Sequence, residues 1–391
     1  MKSKNSTIKV AVGMSGGVDS SVSAMLLKEA GYDVIGVFLK FWFDSTCNGS
    51  RENACCNDQA LIDARAVADK IGIPLYTVDA REPFKKEVTD YFVDEYKNLR
   101  TPNPCVVCNK KIKFGWFLDF AEKLGCDFVA TGHYARIARG NSSSIKGSVL
   151  SIKHNTEYKI HNTDTPLWLL KGVAPAKDQS YFLYQLDQRQ LSKILFPVGE
   201  MTKVEVRALA KKYDLPVFEK VESQEVCFIQ DEDYRGFLHR HLGEKAFKPG
   251  NIVGKEGNII GKHEGLINYT IGQRRGIDQS RKQKAESKKP LYVTGFDVEK
   301  NELIVGNNKE LFRDEFTIEK ACFSTKFEVL STEKMTVKIR YQAEAVSCII
   351  EPIIHNTKYL IRLSSPQRAI TPGQSAVFYD SDRVVGGGII S

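Results

Sequence analysis

Cysteines at two places in the chain could carry nucleophilic chemistry. Cys108 lies in the segment NPCVVCN (103–109), and the lysine-rich residues 110–113 that follow fit the start of a helix over 110–124. A thiol at a helix N-terminus beside cations favours its thiolate form, which is the nucleophile, so the segment predicts a reactive Cys108. Cys227 follows in SQEVCF (223–228). Separation along the chain does not say whether the two sulfurs meet.

Cys-x-x-Cys taken alone fits a zinc half-site, a redox pair or coincidence. No second Cys-x-x-Cys completes a zinc tetrad, and Cys47, Cys55 and Cys56 fall in a segment expected to be a loop. We expect Cys126, Cys322 and Cys348 to be packed or surface thiols. Nine cysteines without a regular framework predict thiols in a reducing compartment.

A glycine-rich turn between a strand and a helix predicts a phosphate site. Glycines let consecutive backbone N–H groups turn inward around an anion, serine hydroxyls add donors, and the helix start adds its positive dipole end. The loop lacks the Gly-Lys-Ser/Thr ending of a Walker loop, which favours adenylyl transfer with release of pyrophosphate over γ-phosphoryl transfer. Its Ser-Gly-Gly-x-Asp-Ser pattern resembles the N-type ATP pyrophosphatases. The loop residues are Gly13, Met14, Ser15, Gly16, Gly17, Val18, Asp19 and Ser20.

Within that loop, Asp19 has two interpretations. It would help to position Mg²⁺ or the nucleotide, or it would serve only as an acidic residue at the start of the helix.

Apolar strand-like runs alternate with amphipathic segments through the first 131 residues, which predicts an α/β fold with a parallel sheet. Ligands of such sheets bind at the carboxyl ends of the strands. Leu39 and Gly132 lie close to such ends, and the resemblance to the N-type ATP pyrophosphatases implies that they line the nucleotide pocket. The predicted strands are 8–12, 34–39, 75–78 and 128–131, and the predicted helices are 19–30, 58–71, 83–99 and 110–124.

The later part of the chain changes character. We expect a surface insertion at 139–166, helices at 179–191 and 203–213, a hairpin over 250–265 and a charged, linker-like stretch at 279–289. Short strands at about ten-residue spacing predict a small C-terminal β-barrel or sandwich. Those strands are 291–296, 303–305, 335–341, 346–350, 359–363 and 375–379.

Length and composition limit the number of domains and the kinds of partner that we expect. The 391 residues predict two or three domains, and the net charge of +8 favours phosphate-rich partners such as nucleotides or RNA. No apolar run approaches the roughly 18 to 20 residues that a membrane span needs, so we expect no membrane partner and a cytoplasmic location.

Seven segments in order along the chain resemble the bacterial tRNA-specific 2-thiouridylases, and together they cover essentially the whole chain. They are GMSGGVDSSVSA, NPCVVCNKKIKF, ATGHYAR, KDQSYFL, SQEVCFI, YTIGQRRG and TPGQSAVFYD. The resemblance implies an ATP pyrophosphatase domain at 1–230, a central tRNA-contacting domain at 231–299 and a C-terminal β-barrel at 300–391.

The resemblance also implies an activity, namely formation of 2-thiouridine at the wobble position of tRNAs for Lys, Glu and Gln. ATP with Mg²⁺ would adenylate the C2 oxygen of the uridine, and a persulfide sulfur would displace AMP. The sulfur would come from a cysteine desulfurase or a sulfur-carrier protein.

Residue roles follow from the same resemblance. Gly13 to Ser20, Leu39 and Gly132 would bind ATP, Cys108 would be the nucleophile, and Cys227 would carry the persulfide and form a disulfide with Cys108. The target base would face Asn103, Pro104 and Cys105. Lys177, Asp178, Gln179, Arg340 and Tyr341 would contact tRNA.

Cys105 departs from the family pattern, because many members have an acid there. Two mechanisms follow. In one, the persulfide relay uses Cys108 and Cys227, and Cys105 is a tolerated neighbour. In the other, Cys105, Cys108 and Cys227 hold a 4Fe-4S cluster that binds hydrosulfide. Ligation would occupy the thiols that the relay needs, so the two exclude each other in one catalytic state.

Two other functions fit parts of the sequence. A different adenylating ligase with the same loop would use ATP without needing thiols. An RNA-binding module with a vestigial nucleotide pocket would need no catalysis, although the intact Ser-Gly-Gly-x-Asp-Ser loop argues against it.

Overall fold

A computed structural model describes residues 7–44, 58–140, 166–220, 226–229, 233–277, 290–324, 335–353 and 357–391. Cys47, Cys55, Cys56, most of the expected 139–166 insertion and the expected linker at 279–289 lie outside these residues. The chain groups into two compact units. The first comprises Met1–Thr89, Pro104–Glu232 and Asp382–Val385, and the second comprises Asp90–Asn103, Asp233–Ser381 and Gly386–Ser391.

A five-stranded, fully parallel sheet forms the centre of the first unit, as the alternating pattern predicts. Its order is β3-β2-β1-β4-β7, so β2 lies on one side of β1 and β4 on the other. The chain therefore reverses direction across the sheet at β1, where ligands of such folds bind. The strands are β1 (Lys9–Gly13), β2 (Asp33–Lys40), β3 (Leu75–Asp79), β4 (Phe128–Ala130) and β7 (Ile194–Leu195).

Helices cover this sheet and complete its core. Alternate residues Val10 and Val12 of β1 are fully buried, and they pack with Val22 and Leu27 of the first helix. Helices α1 and α2 lie close to their predicted positions. The helices of this part of the chain are α1 (Val18–Glu29), α2 (Asp58–Ile71), α3 (Arg81–Phe84), α5 (Pro104–Val107), α6 (Phe117–Lys123), α7 (Gln188–Leu191) and α8 (Lys203–Lys212), with α4 (Asp90–Lys97) in the second unit.

The helix that carries Cys108 begins earlier than predicted. Helix α5 starts at Pro104, continues as a π-helix over Cys108–Trp116, and passes directly into α6. Proline is favoured in the first turn of a helix because its missing N–H would have no partner there. The expectation that Cys108 lies at a helix N-terminus is therefore wrong, and Cys105 occupies that place instead. A second π-helical stretch, Lys85–Thr89, joins α3 to α4.

A hairpin and a mostly irregular segment follow β4. Strands β5 (Ala135–Arg139) and β6 (Leu167–Lys171) pair antiparallel, and the indole of Trp168 donates to the carbonyl of Gly140 at 2.8 Å. The predicted helix at 179–191 is mostly wrong. A 3₁₀ turn at Ser180–Phe182 is followed by the short α7, which starts at a capping box formed by Asp187 and Gln190.

The second unit contains a four-stranded sheet of order β10-β11-β8-β9, whose β8–β9 pair is the predicted hairpin. Aromatic rings join α4 to α9, where Tyr96 lies 5.5 Å from Tyr234 and Phe92 lies 5.9 Å from Phe237. The elements are α9 (Tyr234–Leu242), β8 (Gly250–Gly254), β9 (Ile259–His263), β10 (Tyr292–Asp297) and β11 (Glu302–Gly306), with 3₁₀ turns at Glu244–Ala246, Leu266–Asn268 and Asn308–Leu311.

The predicted C-terminal barrel is confirmed, but the strands predicted at 291–296 and 303–305 are β10 and β11 of the four-stranded sheet and do not belong to the barrel. Six strands pair in the order β12-β15-β14-β13-β16-β17, and pairing of β12 with β17 closes the ring. The longest strand, β12, was not predicted, because its segment FRDEFTIEKACF interrupts the apolar alternation with charged residues. The strands are β12 (Phe312–Phe323), β13 (Thr336–Lys338), β14 (Val346–Ile353), β15 (Lys358–Arg368), β16 (Ser375–Asp380) and β17 (Arg383–Ile390).

Among the residues that the structure describes, no helix has the length and apolar character needed to cross a membrane.

Helix α8 begins at a capping box that can be tested. The Thr202 hydroxyl accepts from the Glu205 backbone N–H, and the Glu205 carboxylate accepts from the Thr202 N–H at 2.7 Å. We expect Thr202→Ala to lower the free energy of unfolding by about 1 kcal/mol, because the Glu205 N–H loses its acceptor and the Glu205 carboxylate loses the hydroxyl that donates to it. Chemical denaturation measures the change. Val204→Ala in the same turn is the control, since Val204 is 78% exposed; an equal loss in both variants would contradict the capping role.

Candidate active site

A cavity of about 300 Å³ opens at the carboxyl ends of β1, β2 and β4 in the first unit. It combines the phosphate loop with both predicted reactive cysteines. Twelve of the residues predicted from the sequence line it, namely Gly13, Met14, Ser15, Asp19, Ser20, Leu39, Pro104, Cys105, Cys108, Gly132, Gln179 and Cys227. The phosphate loop, Cys108 and Cys227 therefore share one cleft, although the two cysteines are far apart along the chain.

The shape of the phosphate loop depends on glycine at one position. Gly16 has φ +71°, a left-handed conformation that other residues rarely adopt, and a Cβ there would overlap the carbonyl oxygen of Ala60 in α2. The Met14 N–H donates to the Val37 carbonyl of β2 at 2.9 Å, which holds the loop to the neighbouring strand. The loop thus leaves β1 in a fixed direction.

Serine hydroxyls stiffen the turn from inside. Ser20 Oγ donates to the Gly17 carbonyl at 3.1 Å and accepts from the Ser15 N–H at 3.2 Å, while Ser21 Oγ donates to the same carbonyl at 2.9 Å. Gly17, the residue before α1, has no side chain with which to cap the helix. The N-terminus of a twelve-residue helix is therefore directed at the cavity with its positive dipole end available to an anion.

Asp19 connects three separate elements. Its Oδ1 accepts from the Tyr134 hydroxyl and from Lys203 Nζ, both at 2.7 Å. Tyr134 follows β4, and Lys203 is the first residue of α8. Sequence analysis named neither residue as part of the site, although ATGHYAR contains Tyr134. Lys203 had no signal, because only folding brings it to a residue that precedes it by 184 positions.

Gly132 is required by a close backbone approach. A Cβ on Gly132 would lie 2.6 Å from the carbonyl carbon of Asp19 and 2.7 Å from the Ser20 nitrogen. Absence of a side chain lets the turn after β4 lie directly on the start of α1. Leu39, near the end of β2, lines the cavity as well.

The three cysteines of the cavity differ in their exposure. Cys108 is 6% exposed, Cys105 is exposed and Cys227 is intermediate. Phe228 is almost fully buried and meets the ring of Phe84 edge-on at 5.8 Å, so the residue after Cys227 is anchored in the core. The three cysteines of the cavity therefore range from buried to exposed.

The lysines that follow Cys108 have different partners. Lys110 Nζ donates to Asp187 at 2.8 Å and to Gln190 Oε1 at 2.7 Å, and Lys111 lies 4.0 Å from Glu87. Lys113 lines the cavity. Of these three lysines, Lys113 is therefore the one that lines the cavity.

His133 contributes a neutral ring. Burial lowers the pKa of His133 well below its usual value, and the charge of nearby Lys113 adds to the shift. The ring nitrogen Nδ1 lies 2.7 Å from the Thr131 hydroxyl. Since the pKa is depressed, His133 is an uncharged hydrogen-bonding group of the cavity near neutral pH.

The expected tRNA-contacting residues have distinct environments. Asp178 is 4% exposed, and its carboxylate accepts from the N–H groups of Gly172 and Ser180 and from the Ser180 hydroxyl. Gln179 lines the cavity and exchanges two hydrogen bonds of 2.9 Å with the backbone of Tyr134. Lys177 is half-buried in the preceding turn.

The remaining expected tRNA contacts fall in the second unit. Arg340 is exposed, its guanidinium donates to the Arg368 carbonyl at 2.6 Å, and Tyr341 follows it in a turn after β13. Asn103, which precedes the cavity-lining Pro104, is half-buried and also groups with this unit.

The oxygen donors of the phosphate loop suit Mg²⁺. Asp19 and the serine hydroxyls offer hard oxygen ligands, and Mg²⁺ is commonly held by one or two carboxylates together with substrate phosphates. The described part of the chain holds no group of three His, Cys, Asp or Glu side chains placed to bind a metal ion. Cys105, Cys108 and Cys227 line the same cavity.

Comparisons with known proteins agree with this architecture. The model of the tRNA methyl transferase HUP domain matches residues 8–231, that of the tRNA methyl transferase PRC-barrel domain matches 235–307, and that of the aminomethyltransferase beta-barrel domain matches 313–390. Fold and site thus define a HUP-domain protein with two appended β domains.

Similarity to individual proteins identifies the family within this class. The tRNA-specific 2-thiouridylase MnmA 1 of Caldanaerobacter subterraneus is 47% identical over 384 residues, which are 98% of this chain and 97% of the relative. The tRNA-specific 2-thiouridylase MnmA of Clostridium acetobutylicum is 44% identical over 382 residues, 98% of this chain and 99% of the relative. The chain belongs to the tRNA-specific 2-thiouridylase family.

The close approach at Gly132 leads to a prediction about nucleotide binding. We expect Gly132→Ala to weaken ATP binding at least about tenfold, because the new methyl group must push the start of α1 out of place. Titration calorimetry with MgATP measures the affinity. Gly295→Ala, where the nearest atom to the new Cβ is a side-chain carbon at 3.6 Å, is the matched control. Wild-type affinity in Gly132→Ala would contradict the steric argument.

Proposed function

We propose that this chain is a tRNA-uridine 2-sulfurtransferase that uses ATP and Mg²⁺ to thiolate the C2 position of the wobble uridine in tRNAs for Lys, Glu and Gln. One observation carries the proposal: the phosphate loop, Cys108 and Cys227 line the same cavity. An adenylating ligase without sulfur chemistry would have no use for thiols beside its nucleotide. Family membership supports tRNA as the substrate.

The proposed reaction begins with adenylation of the base. The C2 oxygen of uridine attacks the α-phosphorus of ATP, and pyrophosphate leaves. The start of α1 and the Gly16 turn would bind the phosphates through backbone N–H groups, while Mg²⁺ at Asp19 would offset the charge of the leaving pyrophosphate. Adenylation turns a poor leaving group on C2 into AMP.

In the second half of the proposed reaction, Cys227 and Cys108 transfer sulfur to the activated base. The terminal sulfur of a persulfide on Cys227 adds to C2, and AMP leaves with the former C2 oxygen. Cys108 then attacks Sγ of Cys227, which forms a Cys108–Cys227 disulfide and leaves the transferred sulfur on the base as the thiocarbonyl. An external thiol reductant resets the pair.

The proposal also includes the sulfur donor and the residues that contact RNA. The persulfide would be loaded by a cysteine desulfurase or a sulfur-carrier protein, and the intermediate exposure of Cys227 allows such access. Asn103, Pro104 and Cys105 would face the target base, with Lys177, Gln179, Arg340 and Tyr341 contacting tRNA. Asp178, whose carboxylate is used internally, would act by shaping the turn that carries its two neighbours.

The relay is preferred over a cluster mechanism. It needs two sulfurs, one shielded and one reachable by a donor, which matches the burial of Cys108 and the intermediate exposure of Cys227. A cluster would use all three thiolates as ligands and would leave none of them free for the relay.

Separating adenylation from sulfur transfer tests the proposal. We expect Cys227→Ser to abolish 2-thiouridine formation while tRNA-dependent release of pyrophosphate persists, because the phosphate loop is unchanged. Nucleoside mass spectrometry and a pyrophosphate assay measure the two steps. Cys348→Ser is the matched control, since burial in the barrel raises the pKa of Cys348 to about 12 and keeps it an inert thiol. Thiolation that survives in Cys227→Ser would refute sulfur transfer through this residue.

Cys105 distinguishes the two sulfur mechanisms. We expect Cys105→Ser to retain thiolation within about threefold when a persulfide donor is supplied, because the relay does not use this sulfur. Anaerobically purified wild-type protein should contain neither iron nor acid-labile sulfide, as measured by metal analysis and visible absorption. Stoichiometric iron in the wild type, lost together with activity in Cys105→Ser, would replace the relay by the cluster mechanism.

A further inference from the structure

A salt bridge between Lys203 and Asp19 places a positive charge beside the phosphate loop, which contains no lysine of its own. Lys203 Nζ lies 2.7 Å from Asp19 Oδ1, and their side chains are 13% and 29% exposed. A pair this enclosed is screened little by solvent. It lies at the start of α1, where the triphosphate is expected, and it involves the one acid that lines the cavity among the described residues.

The position of Lys203 within its helix is unfavourable by itself. Lys203 is the first residue of α8, and a cation at a helix N-terminus opposes the helix dipole. The Asp19 carboxylate compensates for this cost. The capping box of Thr202 and Glu205 fixes the start of α8 and hence the place from which Lys203 reaches the loop.

The hydrogen bonds to Asp19 are also asymmetric. Tyr134 and Lys203 both donate to Oδ1, and none of the described residues donates to Oδ2. A carboxylate held by one oxygen has a fixed orientation and leaves the other oxygen for a cation. Tyr134 contributes a neutral donor and Lys203 a charged one, so the two have the same geometric role and different electrostatic roles.

We propose that Lys203 is a positioning residue of the nucleotide site, which neutralises Asp19 so that triphosphate can bind and which orients Oδ2 toward the Mg²⁺ that accompanies it. The loop lacks a Walker lysine, and Lys203 supplies a cation to the same turn from a distant helix. This inference rests on the proposed function in that the cavity binds ATP. It adds to the site a residue that no sequence motif indicates.

The charge argument predicts an effect that depends on Mg²⁺. Without Lys203, Asp19 would repel the triphosphate, and a bound Mg²⁺ would largely replace the missing charge. We expect Lys203→Met to weaken ATP binding roughly tenfold to hundredfold in EDTA and about threefold or less in excess MgCl₂. Titration calorimetry on the full-length protein, with ATP as the only ligand, measures both affinities.

Two further variants separate charge from packing. Tyr134→Phe removes the neutral donor from the same oxygen, so its effect should be equal with and without Mg²⁺. The double variant Asp19→Asn with Lys203→Met removes both charges, so it should recover most of the affinity that Lys203→Met loses in EDTA. Lys203→Arg retains the positive charge and should stay close to the wild type in EDTA.

Equal weakening of Lys203→Met in EDTA and in MgCl₂, or no recovery in the double variant, would overturn the inference and leave the proposed function standing. Wild-type protein that binds no ATP in either condition would overturn both. The calorimetric measurement of ATP affinity needs neither tRNA nor sulfur. If the variants showed the predicted ATP affinities but the wild-type protein formed no 2-thiouridine, the result would count against the proposed function alone.

Discussion

The contact between the turn after β4 and the start of α1 is the constraint on which the site depends. At Gly132 the two backbones come so close that a methyl group would not fit between them. This contact fixes the spacing between the carboxyl ends of β1 and β4. It also brings Tyr134 to Asp19 and His133 to the cavity wall. The phosphate loop, the Asp19 carboxylate and the turn after β4 are thus held in fixed positions relative to one another.

Electrostatics within the cavity suit an anionic ligand. Among the described lining residues, Asp19 and Lys113 are the ones that carry a permanent charge, and Asp19 is paired with Lys203. His133 remains neutral because burial opposes its protonation. The cavity is therefore largely apolar with a few directed polar groups, and bound phosphates meet backbone dipoles and cations without a competing free carboxylate.

Sequence patterns predicted those parts of the fold that depend on local periodicity. The parallel sheet, the phosphate turn, the hairpin over 250–265 and the closed barrel follow from alternation, glycine placement and strand spacing. Helix bounds around Cys108 were not predicted, because the lysine run marked the amphipathic part of a helix whose first turn is apolar and begins at Pro104. The 179–191 segment failed as a helix because Asp178 and Asp187 use their side chains for local backbone hydrogen bonds.

Contacts between distant parts of the chain could not be predicted. The Lys203 contact with Asp19 and the Lys110 contacts with Asp187 and Gln190 depend on the completed fold, and no spacing rule connects residues so far apart. The loop and Cys108 were predictable because each lies in a contiguous motif, and the resemblance to known thiouridylases added the roles of Cys108 and Cys227.

The cavity has two walls that come from different elements. The nucleotide wall is built from β1, α1, β2 and the turn after β4, whereas the sulfur wall is built from the helical run that begins at Pro104 and from residues 226–228. Gln190 holds the second wall by donating its amide to the carbonyls of Lys110 and Phe114. Each wall is thereby held by hydrogen bonds within its own elements. Substitutions can therefore alter one wall separately from the other.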